Sequence, residues 1–500
     1  MRFRAYKKIL LLLLLLSGWQ VRAGNAFVLS SEIIQSWAEI NRFRTITGAK
    51  LIDADAALNK GNPFQVFLTD QAAFIEILLA DDPGRYRIEL SLRQNREEAL
   101  TSADAHSPFY LFIRAEFHLH WAVLRMKFGD YVQGALELRK ANQLIKKNIE
   151  KFPNFKLNLK TLGIIQAIAG AVPPSFQWLA SKAGIVGNAE QGLATLQALE
   201  NWLATSGQFQ FLLPEIEFYQ LFIYRNLPEE KSNHLLETAA LKLSAREPLI
   251  AFALASLAQK RNQPGRVVAL IQAYQKSNTE IKFCYLDYIL AEARLNSKVN
   301  GAEKEFQAFI ACTKGEQYVK SAYRKWAWAV LLKGDTLGYK RLMRLTLTKG
   351  ASEHEDDRQA MLEAENMATP PEALIRSRVC FDGGRYRESV QSLLELHQTH
   401  PAKLEIKAEL NYRLGRAYDK LGETELAVIF YKAAMVQAEY LPDYFYASAA
   451  FYMANIEKRR NASDRAAKLY KQVLQSAEHP YKKSLDAKAR VALADLKKYD

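Results

Sequence analysis

The sequence predicts an all-α chain built as an α/α superhelix of stacked helical hairpins, with a less regular N-terminal half. Three observations carry that expectation. Gly and Pro are scarce, at 23 and 15 in 500 residues, while the apolar fraction is an ordinary 49%; that balance favours long helices over turn-rich sheets. Past the N-terminal segment the chain reads as helix after helix separated by brief turns. One internal template also recurs at four places, the mark of a repeat architecture. A chain of this length exceeds one compact core, so an extended array suits it.

The template is clearest at 408–441, where Leu414, Gly415 and Tyr418 precede the turn Leu421-Gly422-Glu423, and Ala427, Tyr431 and Ala434 follow it. The same frame fits Gly384, Tyr386, Ser389, Leu393, Leu396 and Pro401, then Ala454, Ala466, Tyr470 and Val473. It fits earlier at Ala122, Gly129, Tyr131, Leu138 and Ala141. Small residues let two antiparallel helices approach, and a large residue one turn on plugs the groove between them. A Gly turn closes each hairpin in the left-handed region at little cost.

These residues resemble the tetratricopeptide repeat, most closely at 408–441. At 370–403, Arg376 and Ser377 stand where that family prefers Leu and Gly, and 447–480 lacks the turn glycine. A weaker helix–turn–helix rhythm continues through 246–345, with Asn262-Gln263-Pro264-Gly265 and Lys333-Gly334-Asp335 as turns. The stretch Thr161 to Ser181 carries no charge, and its prolines Pro173-Pro174 cut it below spanning length. The apolar hairpin 161–193 is loosely similar to one that precedes the repeats in outer-mitochondrial-membrane proteins of the tetratricopeptide type. The expected organisation is a signal peptide at 1–23, an N-terminal helical domain at 24–245, degenerate repeats at 246–345 and tetratricopeptide-like repeats at 352–500. A domain boundary is expected at 346–352, where Ser352 and Glu355 read as a capping box that opens a new helix.

The N-terminus reads as an export signal. Arg2, Arg4, Lys7 and Lys8 precede the apolar run Ile9 to Leu16, and Val21-Arg22-Ala23 ends in the small residue that cleavage needs. Eight apolar residues span about 12 Å as a helix, far short of the roughly 30 Å hydrocarbon core. Leu16-Ser17-Gly18 opens like a lipoprotein motif, but Trp19 stands where the lipid-bearing Cys is required, so a periplasmic or secreted chain without a lipid anchor is expected. The formal charge is +14. That surplus suits an anionic partner or peripheral contact with a membrane surface, while no basic block or aromatic signature for nucleic acid accompanies it.

Catalytic motifs are missing from the sequence: no Gly-Lys dipeptide of a phosphate loop, no GxSxG, no HExxH, no GxGxxG. The expectation is therefore a non-enzymatic chain with no cofactor and no metal. His118 and His120, two apart on a helix, point to different faces. His397 and His400 fall in a last helical turn and Glu353 to Asp357 in a first turn, where such charges complement the helix dipole.

If the first helix of each hairpin lines the concave face, residues four apart share it. The candidate partner-binding positions are then Leu374 and Arg378, Tyr412 and Arg416, Phe451 and Asn455, a row suited to an extended, partly acidic peptide. The tetratricopeptide members that bind chaperone tails place Lys first in each pair, and this chain does not. The functional expectation is an exported scaffold or adaptor for protein partners. The alternative is a nutrient- or glycan-binding helical receptor component of an outer-membrane complex, like the exported starch-binding receptors that carry such repeats. Of the three cysteines, Cys284 and Cys312 lie at the start and end of successive helices, which an antiparallel hairpin brings within disulfide reach.

Overall fold

The computed structural model describes residues 25–171, 184–227, 247–276, 278–298, 301–366, 368–399 and 403–496. Among the described residues, the first nine helices are α1 (Ser31–Asn41), α2 (Thr45–Leu58), α3 (Pro63–Ala80), α4 (Pro83–Thr101), α5 (Pro108–Lys127), α6 (Tyr131–Lys151), α7 (Asn158–Ala171), α8 (Ala189–Leu203) and α9 (Leu213–Asn226). The next seven are α10 (Pro248–Lys260), α11 (Pro264–Gln275), α12 (Tyr285–Asn296), α13 (Ala302–Cys312), α14 (Val319–Leu331), α15 (Thr336–Thr348) and α16 (Glu355–Glu365). The last are α17 (Glu372–Asp382), α18 (Tyr386–Thr399), α19 (Leu404–Leu421), α20 (Thr424–Ala438), α21 (Phe445–Arg459), α22 (Ser463–Gln475) and α23 (Lys482–Leu496). Consecutive helices pair as hairpins along the chain, among them α5/α6, α12/α13, α14/α15, α17/α18, α19/α20 and α21/α22. Among the described residues the fold is an all-α array of stacked helical hairpins.

Local chemistry sets the helix ends. Asn62-Pro63, Asp82-Pro83 and Ser107-Pro108 start α3, α4 and α5: each cap oxygen accepts a backbone N–H (Phe64 at 3.3 Å, Gly84 at 2.9 Å, Phe109 at 3.2 Å), and Pro takes the first turn, where no N–H is needed. Gly422 closes the α19/α20 hairpin at φ +80°, and in the hairpin that lacks a turn glycine Asn461 adopts φ +57° instead. A Cβ on Gly415 would come within 2.6 Å of the Tyr431 ring, so the small residue is what lets Tyr431 plug the α19/α20 groove. In α17/α18 the equivalent crossing is a hydrogen-bonded pair, Ser377 Oγ to Ser389 Oγ at 2.8 Å.

One apolar core runs from Ile33 to Val379, and two smaller ones fill the C-terminal hairpins around Leu393 and Leu414, and around Tyr431 and Tyr470. Ala364, Ile375 and Val379 share the large core with Leu342, so burial does not divide at 346–352. The expected capping box is replaced as well. The N-cap of α16 is His354, whose Nδ1 accepts the N–H of Asp356 at 3.3 Å. Asp357 is drawn away, because its carboxylate accepts the N–H groups of Tyr318 (2.6 Å) and Ser321 (2.9 Å) and so caps α14 from outside.

The N-terminal half holds a buried ionic node. Lys160 on α7 is fully buried between Glu116 on α5 (2.7 Å) and Glu215 on α9 (2.5 Å). Thr161 donates to Glu116, Asn41 donates to Glu215 at 3.1 Å, and Gln71 donates to Asn41 at 2.7 Å. Five helices thus share one cation, and breaking such a pair by removing one partner costs about 3–5 kcal/mol. Of the apolar hairpin expected at 161–193, α7 and α8 are described and pack closely: a Cβ on Gly192 would lie 2.6 Å from the Gly163 carbonyl oxygen. Residues 172–183 lie outside the described residues, as do 1–24. Among the described residues, α3 is long and apolar enough to cross a membrane, but its Phe64, Phe67, Leu68 and Ile77 are buried in the core.

Cys284 and Cys312 are bonded across the α12/α13 hairpin, with Cα atoms 5.6 Å apart, and Cys380 is a buried free thiol. The 28-residue loop they close gives a stabilisation of ~3–4 kcal/mol in the chain-entropy treatment. Thiol counting on the unfolded, unreduced protein is expected to return one free thiol per chain, and Cys312→Ser to lower the melting temperature. Three reactive thiols would remove the bridge.

Candidate functional site

Charged side chains of α14, α16, α17 and α19 meet one another along one face, and α21 adds the Tyr452 ring beside them. Arg378 on α17 sits at the centre. Its Nη1 meets Glu363 of α16 at 3.0 Å, and its Nε and Nη2 meet Glu409 of α19 at 2.9 and 2.5 Å. Arg413, one turn after Glu409, shares that carboxylate at 2.5 Å, and Arg324 of α14 approaches Glu363 at 3.7 Å. Trp328 donates its indole N–H to Glu363 at 3.0 Å, and the guanidinium groups of Arg324 and Arg378 lie over its ring at 5.0 and 5.3 Å. The result is a chain of alternating charge, Arg324–Glu363–Arg378–Glu409–Arg413, across four helices. Burial alone would raise the Glu409 carboxyl, but Arg378 and Arg413 outweigh it and hold the group down at about 2.

Arg416 differs. One turn beyond Arg413, its guanidinium lies between the Phe381 ring of α17 (4.3 Å) and the Tyr452 ring of α21 (5.0 Å). Among the described residues no carboxylate is within ion-pair distance of it. Two aromatic rings therefore stand against the guanidinium of this half-buried side chain, and its N–H donors have no carboxylate partner among the described residues. Tyr444 and Tyr481 stand nearby, edge to face at 5.2 Å.

Arg378 and Arg416 therefore share a face, and the other four expected groove positions need correction. Leu374 and Tyr412 are 2% and 3% exposed, packed between helices rather than shown to a ligand. Phe451 and Asn455 turn toward α22, where Phe451 packs on Tyr470 (5.7 Å) and Asn455 accepts the Tyr470 hydroxyl at 2.6 Å. The reason is rotational: a one-residue shift turns a helix by about 100°, and Tyr452 rather than Phe451 meets Arg416. Sequence reasoning missed Trp328, Glu363, Glu409 and Arg413. The i, i+4 spacing of Glu409 and Arg413 was the available signal.

The histidines take structural places. His118 Nδ1 lies 2.6 Å from Glu137 and its Nε2 3.3 Å from Glu97, while His120 stacks on Phe74 at 4.5 Å. The hydrogen bond from His118 is the main cause that brings Glu97 down to about 2. Among the described residues no group of three His, Cys, Asp or Glu side chains is disposed to hold a metal, and His400 lies outside them.

Fold and site together define a helical-hairpin repeat protein, a class whose members present one continuous inner face. No family model matches the sequence, and no curated protein matches it. Among solved structures, the "Crystal structure of APC/C hetero-tetramer Cut9-Hcn1" aligns over 94% of this chain and 96% of its own, at 10% identity and a TM-score of 0.23.

The alternating charges make an acid-sensitive contact. In an unfolded chain Glu409 titrates near 4.5, and folding holds it at about 2. Its ionised form stabilises the fold at every pH above 4.5, and the gain is lost as pH falls through 2. Glu409→Gln is expected to cost about 3 kcal/mol at pH 7 and almost nothing relative to wild type at pH 2. Thermal melts of both proteins at the two pH values check this; a constant gap in melting temperature would refute it.

Proposed function

We propose that the chain is an exported, non-catalytic scaffold that holds an acidic segment of a protein partner against the inner face of its C-terminal hairpins. Arg416 carries the reading. It is a cation beside the rings of Phe381 and Tyr452 with no carboxylate in ion-pair reach among the described residues, so a partner's carboxylate would complete it as a charge-assisted pair. Arg378, by contrast, already spends its donors on Glu363 and Glu409, which gives it a structural part in the same face. The alternating network lends rigidity to the helices that hold Arg416, and rigidity lowers the entropy lost on binding.

The two arginines separate binding from stability. Arg416→Gln is expected to weaken partner capture about ten-fold or more, the worth of one charge-assisted hydrogen bond at roughly 1.5–3 kcal/mol, with little change in helicity. Arg378→Glu is expected to lower the melting temperature instead. Affinity purification of the full chain from its native cells with mass spectrometry, wild type against Arg416→Gln, reads the first effect. Partners recovered equally by both would place recognition elsewhere. Retention on polysaccharide resin without a protein partner would replace the adaptor by the glycan-receptor reading.

Export rests on the segment that ends at Val21-Arg22-Ala23. The mature N-terminus is expected at Gly24 or within a few residues of it. Edman sequencing of the protein recovered from the cell envelope checks this, and an intact Met1 would contradict it.

A further inference from the structure

We propose that the outward face of α20 binds a second copy of this chain. Two α20 helices pair antiparallel about a two-fold axis, and Tyr440 of each fills a cavity beside Leu421 of the other. The face is an apolar stripe. Leu426, Ile429, Ala433, Val436 and Tyr440 recur at three- and four-residue steps, the spacing that sets side chains in one row along a helix. Leu426, Ile429, Val436 and Tyr440 are exposed, the last two at 76% and 91%, and no charged residue interrupts the row. Glu439, just past α20, keeps helical angles (φ −55°, ψ −37°), so Tyr440 continues the row as a projecting knob.

The matching hole lies at the other end of the same helix. A cavity of about 400 Å³ opens beside the α19/α20 turn, lined by Val390 and Leu394 of α18 and by Tyr418 and Leu421, with Arg387 and Glu423 alongside. Gly422, between Leu421 and Glu423, has open space on the side where a Cβ would stand. A tyrosine suits such a place, its ring against the apolar walls and its hydroxyl toward the polar groups.

The register selects a second copy as the occupant. An antiparallel pairing centred at position 431 sets Ile429 opposite the partner's Ala433, Leu426 opposite the partner's Val436, and Gly422 opposite the partner's Tyr440. One alignment thus seats the whole row and both knobs. Self-matching of this kind is what a two-fold interface requires and a foreign partner does not. The four exposed side chains offer about 500 Å² per copy, so a pair covers about 1,000 Å², the size at which specific interfaces begin. Other outward faces do not pair in this way. On α6, Val132 and Leu136 give way to Arg139, Lys140 and Lys147, and on α15 Leu337 precedes Lys340, Arg341 and Arg344; such basic faces repel their own copies.

Sedimentation equilibrium of the full chain over a range of concentrations is expected to show a reversible dimer. Ile429→Glu, which sets a charge into the row, is expected to leave a monomer of unchanged helicity. Tyr440→Ala removes two knobs per pair and is expected to weaken the dimer on the order of 100-fold, while Leu337→Ser on α15 leaves it as in wild type. Cross-linking reads the register. The double variant Glu423→Cys, Tyr440→Cys is expected to give a disulfide-linked dimer on oxidation. Tyr440→Cys alone is not, because the pairing holds the two 440 positions about 27 Å apart, beyond disulfide reach. A monomer up to about 0.1 mM, a dimer indifferent to both Ile429→Glu and Tyr440→Ala, or equal cross-linking of the single and double variants would overturn the proposal.

Discussion

A helical hairpin cannot bury its own apolar face, and every other feature of this protein follows from that. Each hairpin must stack on the next, so the cores form between neighbouring hairpins and each helix takes its inward direction from its neighbours. Small residues set how closely the helices can pack. Gly415 admits the Tyr431 ring, Gly163 and Gly192 bring α7 and α8 into backbone contact, and Ser377 with Ser389 makes a crossing that is small and polar at once. Larger residues at those positions would push the helices apart and open the core.

Stacking many similar hairpins leaves the problem of register, since one apolar face packs on another at several offsets. Buried charge answers it twice. Lys160, held by Glu116 and Glu215, ties five N-terminal helices to one point. Arg378, held by Glu363 and Glu409, ties α16 and α19 to α17. A slip at either place would leave a charge without a partner in a dry interior, a penalty far larger than the gain from any alternative apolar contact. The disulfide of Cys284 and Cys312 fixes a third hairpin covalently.

The inner face shows how the same residue type takes different parts within one repeat frame. Arg378 and Arg416 occupy matching positions on α17 and α19, yet one is neutralised by carboxylates and the other lies beside rings. What separates them is the neighbour supplied by the next helix: Glu409 for Arg378, Tyr452 for Arg416. A cation beside aromatic rings keeps donors without a carboxylate partner, whereas a cation between two acids does not.

The sequence by itself determined the helical class, the hairpin turns and the small-and-large pairs, because these depend on residues close in the chain. Ser, Asp or Asn before Pro marks a helix start locally, Gly422 marks a turn locally, and Gly415 with Tyr431 falls within one hairpin. Only the tertiary structure decided which side chains share the inner face. Phe451 and Tyr452 are neighbours in sequence and point about 100° apart, so the choice between them rests on the rotation of α21 against α19. The Glu363 and Trp328 partners of Arg378 come from α16 and α14, well separated in the chain, and Asp357 caps α14 rather than its own helix. Those pairings are set by how hairpins rotate and stack, and that rotation is a sum over many contacts that no local spacing records.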